Sequence, residues 1–196
     1  MVTRSTAKNI RTIAPTRSGY WANSPGHRSS TRIRKMSDSI NKKLKAVFRG
    51  IKTATGKDGR LFVSTPPENA RDVLKSLKDE GYIHLALISC VDWIDKQKFE
   101  LIYILSSYFE NEHIILRTHI PRENAKFTSV IDTFENAEPY EREIHELFGI
   151  NFEGHPRQIP LFLERNYEIP PFRKDFDTRA YVKQLFDEIP FVEEDR

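Results

Sequence analysis

The spacing of apolar positions changes several times along the sequence, and each change marks an element. In SINKKLKAVFRGI, residues 39–51, Ile40, Leu44, Val47, Phe48 and Ile51 recur every three to four positions with lysines opposite, which predicts a short amphipathic helix. GKDG (56–59) reads as a turn, and RLFVSTP (60–66) alternates in strand-forming residues. PPENARDVLKSLKDEGY (66–82) predicts a second helix. Pro opens it, Glu68 and Asp72 come early, Val73, Leu74 and Leu77 share a face, and Gly81 stops it. Three strands follow as IHLALISCVDWI, KFELIYILSSY and EHIILRTHIP, joined by DKQ and FEN. Those connectors are too short for crossover helices, so the three predict an antiparallel meander. From TSVIDTF (128–134) the period becomes helical and leads into EREIHELFGINFEGHP (141–156).

These elements predict an α+β two-layer sandwich, two to three helices on a mostly antiparallel four-stranded sheet, with its core domain over residues 36–156. Residues 157–196 differ. Pro recurs at 160, 170, 171 and 190, periodicity is poor, and Leu161, Phe162, Tyr167, Phe172, Phe176, Tyr181 and Phe186 are too apolar to float in water. Such a segment is expected to be an extended tail that wraps a partner surface; folding back on its own sheet is the alternative.

Charge divides the sequence further. Residues 1–35 hold eight Lys/Arg and no acid, so the net +3 of the whole leaves −5 for residues 36–196. A basic, Ser/Thr-rich, acid-free start reads as a disordered tail: a transit-like segment, a nucleic-acid-binding arm, or a start-site artefact ahead of Met36. The mildly acidic body lacks a basic stripe, which argues against a nucleic-acid-binding or general interaction module. No apolar run approaches the roughly 20 residues of a membrane span. One cysteine, Cys90, excludes an internal disulfide and an all-cysteine metal or cluster site built by this chain alone. His84, His113 and His119 lie within strand patterns and form no close pair, so they read as strand residues and not as ligands.

The charged stretch concentrates the candidate chemistry. Asn136 or Glu138 can cap a helix with Pro139 in its first turn, Tyr140, Ile144, Leu147 and Phe148 line one face, and Gly149 is the stop. On the other side Arg142 is expected to face Glu146, with Glu143 beside it and Glu141 facing His145. As exposed pairs these contribute about 0.3–0.5 kcal/mol each, so little of the fold would depend on them. Catalytic readings fail on geometry. His145-Glu146 opens like H-E-x-x-H, but Gly149 stands where the second ligand belongs. Glu141 and Glu143 diverge on a helix, and no activated nucleophile or phosphate-cradling Gly-rich loop is present.

EREIHELFGINFEGHP resembles the signature of the 30 kDa subunit family of respiratory complex I, the NADH:quinone oxidoreductase. SCVDWIDKQKFELIYILSS is similar to that family's strand pair, and PPFRKDF to its closing motif. The resemblance covers most of residues 59–182. It implies an α/β subunit with no cofactor of its own, no catalytic residue and no metal ligand. Iron–sulfur clusters, with a flavin or nickel–iron centre, are then expected in partner subunits. The implied partners are a large catalytic subunit of 49 kDa or hydrogenase-large-subunit type and a small iron–sulfur subunit. The membrane is reached only through the complex. The implied interface residues are Glu141, Arg142, Glu143 and Glu146, with His155, Pro156, Arg173, Lys174 and Asp175 helping to place the tail. Localisation would be peripheral, on the cytoplasmic face of the cell membrane, or on the matrix face of the inner mitochondrial membrane if residues 1–35 are a transit segment. After G-H-P the sequence runs RQIPLFLERNYEIPPFRKDF, a form more similar to relatives in energy-converting [NiFe] hydrogenases and archaeal complex-I-like enzymes. The resemblance leaves the electron carriers open.

Overall fold

A computed structural model describes residues 30–58, 60–108, 112–163 and 167–185, with residues 30–38 as backbone only. The expectations for residues 1–29 and beyond 185 lie outside the described residues. In sequence order the elements are α1 (Ser30–Val47), β1 (Lys52–Thr55), β2 (Leu61–Thr65), α2 (Pro67–Asp79), β3 (His84–Trp93), β4 (Lys98–Ser107), β5 (Glu112–Pro121), β6 (Lys126–Thr128), α3 (Ala137–Phe148), β7 (Asn151–Glu153) and α4 (Thr178–Leu185).

The main sheet runs β1-β2-β5-β4-β3. Its β3–β4–β5 half is the predicted antiparallel meander, with Cys90, Leu101 and Thr118 in one row. β2 joins β5 in parallel, Val63 beside Leu116, which requires a crossover; α2 begins it over one face of the sheet. There α2 buries Ala70, Val73, Leu74 and Leu77 against Val63, Leu101, Tyr103 and Leu116. Full burial of each aliphatic side chain stabilises by about 1.5–3 kcal/mol, so this layer supplies much of the driving force. The fold class is as predicted, with a fifth strand in the main sheet and a separate two-stranded sheet of β6 and β7.

Two segments differ from the sequence reading. The first helix begins at Ser30, inside the stretch expected to be a disordered tail, and stops at Val47 instead of running to Ile51, because Gly50 takes φ 78° and turns the backbone into β1. Ile40, Leu44 and Ile51 are buried, but Val47 is 72% exposed, since Ile51 reaches the core from beyond the helix. TSVIDTF is not helical: Thr128 ends β6, which pairs in parallel with β7, and residues 131–133 form turns. Val130 and Phe134 are buried four residues apart, which imitates a helical period.

α3 closes the free edge of β3. A register irregularity between Leu85 and Leu87 opens carbonyls there. The Asn136 amide donates to the Leu85 carbonyl at 2.7 Å and the Tyr140 hydroxyl to Ala86 at 3.0 Å. The opposite sheet face carries none of the described helices. Across it Ala54, Phe62, Ile115, Ile104 and Leu87 align in one apolar row through all five strands.

Candidate functional site

α3 organises the charged stretch, though not as the sequence pattern implies. Asn136 stands at its N-cap without capping through its side chain, because that amide is bound to β3. Glu141 is the largest departure. Expected on the exposed side facing His145, it has no exposed surface. Its carboxylate accepts from the Ser129 hydroxyl at 2.7 Å and the Val130 amide at 2.8 Å, which fastens the irregular segment before α3. Burial pushes its pKa up to about 7 against those two donors, with Asp132 adding to the rise. His145 turns instead to the Ile150 carbonyl, 2.9 Å from Nδ1.

Arg142 and Glu146 do not pair by hydrogen bond. Arg142 contacts Glu138 at 3.3 Å and donates to the carbonyls of Ile159 and Pro160, each at 3.1 Å. Glu146 accepts the amides of Leu161 at 2.9 Å, Phe162 at 3.0 Å and Leu163. Burial opposes its charge, yet the three amides and the nearby Arg142 cation hold its pKa below the ordinary carboxylate value. Two α3 side chains thus grip the backbone of 159–163 from both polarities: one donates to carbonyls, the other accepts from amides. Glu143 is half-buried and has no hydrogen-bond or ion-pair partner among the described residues. His155 is buried: Nδ1 accepts from the Arg157 amide at 3.0 Å, which leaves Nε2 to donate to the Glu138 carbonyl at 3.3 Å. Pro156 is exposed beside it.

The tail returns to its own domain at two further places. Phe172 donates its amide to the Leu147 carbonyl at 3.0 Å and packs edge-on against Phe148, while Pro170 lies over Gly149. Beyond it Arg122, at the end of β5, donates to both oxygens of Asp92 at 3.0 and 3.2 Å and to Asp175 at 2.5 Å. Asp92 also takes the Lys174 amide at 2.9 Å, and Arg173 stands 3.4 Å from Asp175. The side chains of Asp92 and Arg122 are nearly inaccessible to water, so each depends on the other. Arg173, Lys174 and Asp175 therefore place the tail through a buried node. Arg122 and Ser129 escaped the sequence reading: their partners lie 12 to 53 residues away and leave no periodic signal.

Residues 63–182 match the family described as respiratory-chain NADH dehydrogenase, 30 Kd subunit. The protein belongs to that family. All three convergent groups of this 30 kDa-type subunit, the Asp92 strand, α3 and the Arg173–Asp175 turn, lie inside the matched stretch. It is 31% identical over 135 residues to the C subunit of the NADH-quinone oxidoreductase of Rhodobacter capsulatus, covering 67% of each sequence. It is 34% identical over 120 residues to the C subunit of the F(420)H(2) dehydrogenase of Methanosarcina mazei, 60% of this sequence and 76% of that one. A component of the membrane-bound sulfane sulfur reductase, an archaeal respiratory membrane complex, superposes with a TM-score of 0.73 at 29% identity, over 83% of this sequence and 97% of that one.

Chemically, the 30 kDa-type subunit brings no two free titratable groups together on α3. Glu141, Arg142, Glu146 and His155 all bind backbone, and Glu143 stands apart. Cys90 is buried, and desolvation, with Asp92 and Glu100 nearby, pushes its thiol far from the reactive range. Among the described residues no group of three potential ligands could hold a metal, and no helix is long and apolar enough to cross a membrane.

Proposed function

We propose that this protein is a non-catalytic structural subunit of the hydrophilic arm of a complex-I-type, ion-translocating oxidoreductase. It docks on the large subunit beside the electron path to the quinone site, and holds no cofactor itself. The observation behind this reading is how the α3 charges are used. Arg142 and Glu146 hold residues 159–163, where Phe162 is still 67% exposed, and Phe172, tied further along the tail to the Leu147 carbonyl, is 58% exposed. Large apolar groups fixed in place and left in water suit a partner surface. Attachment to the membrane is then peripheral, through the assembly.

A second reading keeps the structural role and changes the electron carrier. It is supported by the F(420)H(2) dehydrogenase relative and by the likeness to a component of the sulfane sulfur reductase. One experiment tests both. Affinity purification of the tagged protein from its own membranes is expected to bring down a large oxidoreductase subunit and an iron–sulfur subunit, whose identities fix the carrier. Recovery of nucleic acid or unrelated proteins in their place would refute the assembly role. Stoichiometric iron, zinc or flavin in the purified single protein would refute the claim that it holds no cofactor.

A further inference from the structure

The sheet face turned away from α2 has a pattern that contact with water does not explain. An antiparallel face left in solvent ordinarily puts polar side chains outward. Here the row of Ala54, Phe62, Ile115, Ile104 and Leu87 is apolar through all five strands, and Ile102, Val91 and Trp93 extend it along β3 and β4. Leu87 and Trp93 are 40% and 39% exposed. Arg117 stands in the middle, beside Ile102, with its guanidinium over the Phe62 ring at 5.4 Å. Its ion pair with Glu100 is 3.8 Å long, beyond hydrogen-bond reach, and its Nε is buried with no hydrogen-bond partner among the described residues. Glu100 is committed elsewhere: it is 6% exposed and accepts the Trp93 indole N–H at 3.0 Å. Besides histidines, the other charged groups that the strands turn to this face are Lys52 and Lys98, both cations.

We propose that this face docks one α-helix of a neighbouring protein, a helix with an apolar stripe and a carboxylate that closes on Arg117. A sheet face offers side chains and no backbone, so whatever is buried on it has to satisfy its own backbone, as a helix does. Five strands about 4.8 Å apart make a face about 19 Å across, the length of roughly 13 helical residues. The carboxylate follows from charge. Apolar cover alone would take water from a guanidinium that has no acceptor, which is costly, whereas an Asp or Glu opposite gives it two parallel bonds. The same requirement sets other occupants aside. Residues 1–35 hold no acid. Residues 186–196 hold acids, but they are fewer than the span needs and Pro190 interrupts them. A second copy would set Arg117 against a face of its own sign, since Glu100 is buried. That the neighbour is a subunit of the same assembly rests on the proposed function; the surface itself is separate from α3, which closes the edge of β3.

The test uses the tagged full-length protein, purified from its own membranes after illumination, with photoreactive p-benzoylphenylalanine in place of Leu87 or, as a control, of the exposed Val47 on α1. Mass spectrometry then reads the cross-linked peptides. Position 87 is expected to join one stretch of another protein, with apolar residues three to four apart and an Asp or Glu among them, which position 47 does not reach. Cross-links into residues 1–29 or 186–196 of this protein, into a second copy, or into nothing would overturn the proposal. A mutant cycle reads the pairing with Arg117. Arg117→Met, and the amide variant of the captured Asp or Glu, are each expected to weaken binding about thirtyfold or more, and the double change little more than either. Additive losses would mean that the two groups do not meet, and the docking site fails. Leu87→Lys keeps the test decisive if Arg117→Met disturbs the fold: it should leave melting of the free protein unchanged and still weaken binding, and unchanged binding overturns the proposal. The same preparations separate this from the parent reading. If oxidoreductase subunits are recovered while position 87 joins nothing, the structural role stands and the docking face fails. If a coupled helix is captured from a protein outside any oxidoreductase, the structural role fails and the docking face stands.

Discussion

Glu141 has no contact with water, so everything that keeps it in place comes from Ser129 and Val130. Two donors are not enough to offset burial, and its pKa is raised from 4.5 to about 7. The folded protein therefore holds a proton that the unfolded one releases. The stability this gives is fully present below about pH 4.5 and is lost as pH rises through about 7. The loss amounts to on the order of 3 kcal/mol at most across that window. Glu141→Gln keeps the carbonyl acceptor and cannot ionise. It is expected to melt at nearly the same temperature at pH 5 and pH 7.5, after subtracting changes common to both proteins, while the wild type loses stability towards pH 7.5. Parallel melting curves over that range would place the ionised form at no disadvantage and refute the argument. Sequence pattern misplaced this residue for a specific reason. Glu141, Ile144 and Phe148 follow at i, i+3 and i+7, so the carboxylate sits at the margin of the apolar stripe. Only a donor pair 11 and 12 residues upstream, in a segment without periodicity, turns it inward.

At the scale of elements, α3 is held at both ends and in turn holds the tail. Glu146 satisfies three successive amides at 161–163, which otherwise have no acceptor in an extended segment. Glu146→Ala removes all three at once and is expected to cost about 1–3 kcal/mol, more than the few tenths that an exposed helix pair predicts. Amide hydrogen exchange reads it directly: Leu161, Phe162 and Leu163 should lose protection, whereas Leu74 and Leu101 in the core keep theirs. Gly149 acts on the same tail by shape. Its φ of 76° is a left-handed cap, and a Cβ there would stand 2.9 Å from Pro170. Gly149→Ala is therefore strained twice. Left-handed backbone alone costs about 1–2 kcal/mol, and Pro170 must also move, so the edge contact of Phe172 on Phe148 should be lost from the NMR spectrum. The helix stop at Gly149 was legible in the sequence, as were α2 and the meander, because local period and turn residues encode them. The contact with Pro170 was not, nor was the early end of α1, since both depend on what the next segment packs against.

At the scale of the whole molecule, the structure separates charges that hold the fold from charges that face outward. The node of Asp92, Arg122 and Asp175 belongs to the first group. Arg122→Met strips a buried carboxylate of its cation and is expected to cost about 3–5 kcal/mol, seen as a lowered melting temperature and release of residues 173–175. Arg142 and Glu146 also hold the protein's own tail, so their loss would weaken folding and docking together and could not tell the two apart. Glu143 is different. It lies on the same helix, half-buried, with no internal partner among the described residues, and nothing in the described fold accounts for its charge. A partner cation is what such a carboxylate would meet in the proposed assembly. Charge reversal, Glu143→Lys, should leave melting of the free protein within about 0.5 kcal/mol, as for an ordinary surface change. In the assembly it would place like charges together and desolvate one of them, a cost of several kcal/mol that typically breaks association. The measurement is retention of the large subunit by the tagged mutant, alongside melting of the same preparation. Lost retention with unchanged melting supports α3 as a docking helix. Retention at the wild-type level would mean that Glu143 faces solvent in the complex, and that the partner is held through the tail alone.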